Sequence, residues 1–309
     1  MMKTHTCQMR KMLQSARVSD ERKYMPQLDG LRAVAMMCVM FHHWFPASWR
    51  FHFPTEAGLF LFFVLSGFLM TQGLLREQER ETIGPILKRF HLKRLLRIYP
   101  AYYCALALAM ALMVKDVLHA PQWWLLNLQN FYILKIGYWP TGVSHFWTLA
   151  VEQQYYLVWP LVILCTPKRA LLFVLLLLLV VSPLSRLSNA GMEIFSGDLR
   201  PWELMDDFAM GSIVALLMHR RSQMLHTLRW CALLALIAYI YLYARLEMGR
   251  AVDYFWMMQQ SFLAIALAGL ISLAAVGILL PQVLWCVDFG VELAGGRFTG
   301  MTSYMFDSN

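Results

Sequence analysis

Two histidines, His42 and His43, lie near the end of the first apolar stretch, LDGLRAVAMMCVMFHHWFPASW, which opens with Asp29, Gly30 and Arg32. An α-helix turns by about 100° per residue, so eleven residues return to within roughly 20° of the starting direction. Arg32 and His43 therefore share one face, about 16 Å apart along the axis, and His42 lies about a quarter-turn away. A neutral imidazole takes up a proton near neutral pH. A guanidinium grips phosphate or carboxylate in a planar fork. Both are costly on a helix this apolar, and groups of this kind are kept in lipid for a task.

Three further stretches carry chemistry. SHFWTLAVEQQYYLVWP sets Glu152, Tyr155, Tyr156 and Trp159 at steps of three and four, which puts a carboxylate and phenols on one side of a helix. Its bland role is packing glue between helices; its sharper role is a working carboxylate facing a cavity. ILKRFHLKRLLRIYP lines Lys88, Arg89, Lys93, Arg94 and Arg97 along a short amphipathic helix. Such a helix anchors on anionic headgroups. Arg94 and Arg97, three residues apart, are also placed to grip one polyanionic ligand together. RPWELMDDFAMG brings Glu203, Asp206 and Asp207 into the first turns of a helix, where acids satisfy the helix dipole. The six cysteines are scattered in mostly apolar surroundings, without metal-ligand spacing or a disulfide framework, and are expected to be small buried residues. No metal site is expected.

These groups need a scaffold, and composition specifies it. Hydrophobic residues make up 59% of the chain and charged residues 15%, far from the balance of a soluble domain. The fold class is all-α: a polytopic membrane bundle of about eight spans, near 32–49, 57–75, 98–118, 146–165, 169–187, 203–218, 228–248 and 255–280. Segment 119–145 holds Trp123, Trp124, Tyr132, Tyr138 and Trp139 with two prolines, which suits an interfacial or re-entrant piece. The net charge of +8 does not point to nucleic acid, because most of the 27 lysines and arginines fall in short segments that alternate with the spans. The positive-inside rule then puts the N-terminus and Arg32 in the cytoplasm and His43 toward the outer half of the membrane. The polar, basic residues 1–31 form a cytoplasmic segment without a visible signal peptide. Residues 32–280 form the membrane domain, and 281–309 a tail.

Four stretches together resemble the membrane-bound acyltransferase 3 family, bacterial O-acyltransferases that decorate cell-surface glycans. Arg32 and His43 match an arginine followed eleven residues later by histidine. GLFLFFVLSGFLMT, with Ser66 and Gly67, is similar to a Phe-Phe-x-x-Ser-Gly-Phe signature. KRLLRIYPAYY resembles the paired arginines before a proline, here Arg94, Arg97 and Pro100. Ser144, Trp147, Leu149, Glu152, Tyr156 and Pro160 follow a Ser-x-x-Trp-x-Leu-x-x-Glu-x-x-x-Tyr-x-x-x-Pro pattern. The chain departs from the family at Phe60, where many members carry an acid. GMTSYMFDSN resembles the start of a late motif that leads into further helices, so the chain is expected to lack the family's last helices.

The resemblance implies transfer of an acyl group, most simply acetyl, from cytoplasmic acyl-CoA to a hydroxyl of a surface glycan or lipid-linked saccharide at the bacterial inner (plasma) membrane. Acyl-CoA enters as donor substrate, with no bound cofactor. His43 is the expected base and Glu152 its partner. Arg32, Arg94 and Arg97 hold the donor's phosphates, and Ser66, Trp147 and Tyr156 support the site. Two other readings stay open: a permease using a buried His/Arg/Glu relay, although no internal repeat is visible, and an acyltransferase inactive for want of its last helices.

Overall fold

The computed structural model describes residues 25–45, 54, 56–188, 199–247 and 253–276. Most of the basic N-terminal segment, the tail 281–309 and its late motif lie outside the described residues. Contacts group residues 32–273 into one compact unit and 1–31 with 274–309 into another. The site belongs to the first.

Every described element is helical. Eight helices of fifteen residues or more fall on the eight expected segments: α1 (Pro26–Trp44), α2 (Ala57–Gln78), α3 (Ile83–Ala111), α7 (Phe146–Cys165), α8 (Leu171–Ser188), α9 (Met205–His219), α10 (Met224–Glu247) and α11 (Asp253–Val276). By length and apolar composition four stretches suffice to cross a membrane: Ala57–Gln78, Leu171–Ser188, Met224–Arg245 and Met258–Val276. Of the other four, α9 is shorter, and α1, α3 and α7 are interrupted by polar or charged residues. On α10 only 17% of the apolar window is buried. Its Trp230, Leu234, Ile237 and Tyr241 face outward, as do Phe173, Val180 and Leu184 of α8. That is the pattern of lipid-facing helices.

Two expectations change. The amphipathic piece and the third span are one continuous helix, α3, which runs through Pro100 and ends where Met113 adopts a positive φ of 57°. Among the described cysteines, Cys104, Cys165 and Cys231 lie on the bundle surface and only Cys38 is half-buried, so they are not core residues; all four are free.

Segment 119–145 folds into short helices: α4 (Lys115–His119), which begins just before it, then α5 (Pro121–Leu125) and α6 (Gln129–Ile136). They close over a small aromatic core of Tyr102, Trp124, Tyr132 and Phe146. Tyr102 fixes this cap to α3 by donating to the Trp124 carbonyl oxygen at 2.5 Å. Gln129 ties it to α7 through the Phe146 carbonyl at 2.8 Å. The chain leaves α6 through Gly137, whose φ of 74° suits glycine at a helix C-terminus.

At the centre α2 and α9 cross backbone to backbone. A Cβ on Gly67 would overlap the Phe208 carbonyl, and one on Gly211 would overlap the Val64 carbonyl. The close approach lets Thr71 and Ser212 meet at 2.6 Å, with the indole N–H of Trp159 donating to Ser212 at 3.1 Å. Small residues thus do for these helices what hydrophobic burial does in water. Gly58 similarly lets α1 approach α2 beside Ala35 and Cys38. That contact seats the arginine–histidine helix.

The acids of the sixth segment are also not simple dipole charges. Asp206 lies in the first turn of α9 as expected, but it is buried and paired with the buried Arg186 of α8 at 2.5 Å. Ser182 and Ser261 donate to it at 2.9 and 2.6 Å. Gln260 donates to Asp207 at 3.1 Å. α8 and α11 therefore supply a cation and three polar partners to a buried network. Burial of charge is tolerated at Asp206, where both carboxylate oxygens are paired or hydrogen-bonded.

Candidate active site

The candidate residues fall into two groups, one toward the Arg32 end of α1 and one toward its His43 end. The first is built round Glu152, which is buried on α7. Ser66 of α2 donates to its Oε1 at 3.3 Å and Tyr156, one turn along α7, donates to its Oε2 at 3.4 Å. Arg94 of α3 lays its guanidinium 4.0 Å above the Tyr156 ring and 4.7 Å above the Phe90 ring. The charges of Arg94 and Arg32 both act on Glu152. A carboxylate in apolar surroundings is retained when cations and hydroxyls compensate it, and here four of the expected residues do so together. Arg97 is exposed, close enough for its charge to be felt by Arg94. Arg89 belongs elsewhere. It is held by Glu77 and Glu81 at 3.0 Å each on the surface between α2 and α3.

The second group surrounds a cavity of about 340 Å³ lined by His42, His43, Glu56, Ser144, His145 and Trp147, with Trp139 and Phe60 completing its wall. The His43 and His145 rings lie 6.0 Å apart between centroids, and His42 meets His43 edge-on at 5.2 Å. Trp139 tilts against Trp147 at 6.2 Å. His145 opens into the cavity but is crowded by protein. That desolvation, reinforced by His43, holds its pKa below the ordinary histidine value. A neutral imidazole is available as a proton acceptor, and the apolar walls suit the face of an uncharged ring.

His145, the residue preceding α7, and Glu152 are seven residues apart, about 10 Å along the helix axis. The structure thus brings His43 and Trp147 together with His145 and Glu56. It brings Glu152 together with Ser66, Tyr156, Arg94 and Arg32. His145 lay inside a motif already singled out, and its place directly before α7 was the available signal. Nothing local distinguished Glu56, which becomes visible only when α1 and α2 are packed. Arg186 reads as the charge at the end of an apolar run, and its partner on another helix is a tertiary fact. Among the described residues no set of three His, Cys, Asp or Glu is arranged to hold a metal ion.

A family model described as an acyltransferase domain matches residues 25–290. Among curated relatives, the chain is 32% identical over 154 residues to peptidoglycan O-acetyltransferase OatA of Listeria monocytogenes, covering 45% of this chain and 24% of that protein. It is 28% identical over 158 residues to YrhL of Bacillus subtilis, provisionally named a peptidoglycan O-acetyltransferase, covering 46% and 24% respectively. The matched region is thus about a quarter of the length of these relatives. No solved structure matches the chain.

Proposed function

The chain belongs to this acyltransferase family, and from that premise we propose that it takes an acyl group, most simply acetyl, from cytoplasmic acyl-CoA and delivers it to a glycan hydroxyl on the far side of the bacterial plasma membrane. The observation that carries the reading is the two-ended site. Arginines and a buried carboxylate stand at one end of α1 and α7, and an imidazole-lined cavity stands at the other. The basic segments support a cytoplasmic N-terminus, which puts the arginine end inside and the cavity outside.

Arg94 and Arg97, with Arg32, grip the donor's phosphates. The long pantetheine arm then carries the thioester toward His43. There His43 takes the proton of the acceptor hydroxyl as its oxygen attacks the thioester carbonyl. The C–O bond forms, the tetrahedral intermediate collapses with loss of the C–S bond, and the thiolate leaves as thiol with the proton returned by the imidazolium. Glu152, held by Ser66 and Tyr156, compensates the inner arginines and keeps their side chains in place. Trp139 and Trp147 give the cavity an aromatic wall for a sugar ring. The names of the relatives support peptidoglycan as the first acceptor to test, with other surface glycans and lipid-linked saccharides beside it.

The test is mass spectrometry of cell-wall and surface glycans from cells with and without the protein, and with His43→Ala at matched protein levels. An acyl mass present with wild type and missing with the variant is expected. Acylation undiminished by His43→Ala overturns the assignment.

A further inference from the structure

The carboxylate sharing a cavity with the proposed base is Glu56, the residue that precedes α2, and it is the one carboxylate among the cavity's lining residues. Glu152, the acid that sequence pairs with His43, has two other hydroxyl partners and lies about two helical turns from His145. Gly58 sets how closely the start of α2, and with it Glu56, lies against α1, because a Cβ there would overlap Cys38 and the Ala35 carbonyl. We propose that Glu56 is the positioning residue of the outer site, holding the His43 imidazole in orientation and stabilising its cationic form while it carries the acceptor's proton.

The proposal rests on the acyl-transfer reading and refines it. An imidazole that becomes cationic in an apolar cavity needs a fixed negative neighbour, and a carboxylate serves that purpose without being protonated itself. The other titratable groups facing Glu56 do not supply it. His42 and His145 are imidazoles from α1 and from the start of α7, and Tyr239 of α10 is a phenol. Glu56 is exposed to the cavity, whose lining also includes the apolar side chains of Leu59, Phe60 and Val39, and partial desolvation there raises its pKa. A carboxylate so placed gains more from a nearby cation than a fully hydrated one does. The proton passes from the acceptor hydroxyl to His43 and from His43 to the departing thiolate. Glu56 remains unprotonated throughout, and no further reactant is needed.

The experiment compares wild type, Glu56→Gln and Glu56→Asp as full chains in proteoliposomes, using two readouts. The first is the pH–rate profile of acyl transfer. The second is carbethoxylation of His43 by diethyl pyrocarbonate, which attacks neutral imidazole, followed by peptide mass spectrometry across pH and needing no turnover. With Glu56→Gln, turnover falls at least tenfold with little change in KM for the donor. The acid limb of the rate profile and the midpoint of His43 modification both move to lower pH by about one unit. Glu56→Asp restores much of both. A His43 midpoint unmoved by Glu56→Gln overturns the proposal, whether turnover is lost or kept. If wild type transfers no acyl group to any glycan tested, the acyl-transfer reading falls, and the modification midpoint still decides the Glu56–His43 pairing.

Discussion

His43 and His145, from opposite ends of the functional region of the sequence, hold their rings 6.0 Å apart across one cavity. Crowding by protein and the neighbouring His43 keep the pKa of His145 below the usual 6.5. The sign follows directly. A lowered pKa means that His145 stays neutral as pH falls through 6.5, then charges at a lower pH and places a cation beside the base. Acyl transfer should therefore fall on the acid side with a slope steeper than one proton. His145→Gln should reduce that slope to a single protonation while leaving the rate at pH 7.5 within about threefold. A pH–rate profile from pH 5 to 8 checks it; an unchanged steep slope in the variant contradicts it.

Arg94 stacks on Tyr156 and faces Glu152, whereas Arg97 is exposed one turn away. The two arginines should not be equivalent. Arg94→Lys keeps the charge but loses the planar face that lies on the ring. It should raise KM for acyl-CoA about tenfold, with a smaller effect on kcat. Arg97→Lys should change KM by less than about threefold. Steady-state kinetics at two salt concentrations separate the cases, because the exposed charge is screened more strongly.

The helical elements were legible because apolar runs and the positions of lysine and arginine impose them, and the motif residues Ser66, Arg94, Glu152 and Tyr156 do converge in one cluster. Partnership was harder to read. Glu152 looked like the natural mate of His43, since both are ionisable groups inside spans. The structure places Glu152 among Ser66 and Tyr156, and places Glu56 in the cavity that His43 lines, an arrangement that only the packing of α1, α2 and α7 reveals. The Arg186–Asp206 pair was hidden for a related reason. Each residue has an adequate local explanation, a terminal cation and a helix N-terminal acid, and only packing of α8 on α9 joins them.

The crossing of α2 and α9 makes a sharp steric prediction. Gly211→Ala drives a methyl group into the Val64 backbone, and backbone cannot rotate aside. The expected cost is about 1–3 kcal/mol, as for overpacking elsewhere. Gly73→Ala, on the same helix as Gly67 but with nothing within 4 Å of the added carbon, should be neutral or slightly stabilising. Thermal unfolding in detergent should rank the variants Gly73→Ala, wild type and Gly211→Ala, from most to least stable. Equal midpoints for Gly211→Ala and wild type would show that the crossing is looser than described.

Arg186 and Asp206 give the clearest test of structure apart from catalysis. Both are buried, 2.5 Å apart, and bridged by Ser182 and Ser261. Removing either charge strands the other in the bundle interior, at a cost of about 3–5 kcal/mol. Arg186→Met or Asp206→Leu alone should therefore lower the amount of folded protein in the membrane and its unfolding midpoint. The double variant removes both charges and should recover most of that loss, since a buried ion pair can often be replaced by apolar groups at little net cost. The network lies among α8, α9 and α11 and contains none of the residues of either group of the candidate site, so the double variant should keep its KM for acyl-CoA. A double-mutant cycle on unfolding, run beside the kinetics, distinguishes the outcomes. Recovery of folding without recovery of turnover would assign the pair a catalytic part; recovery of both leaves it a clamp that holds α9 in register with α8.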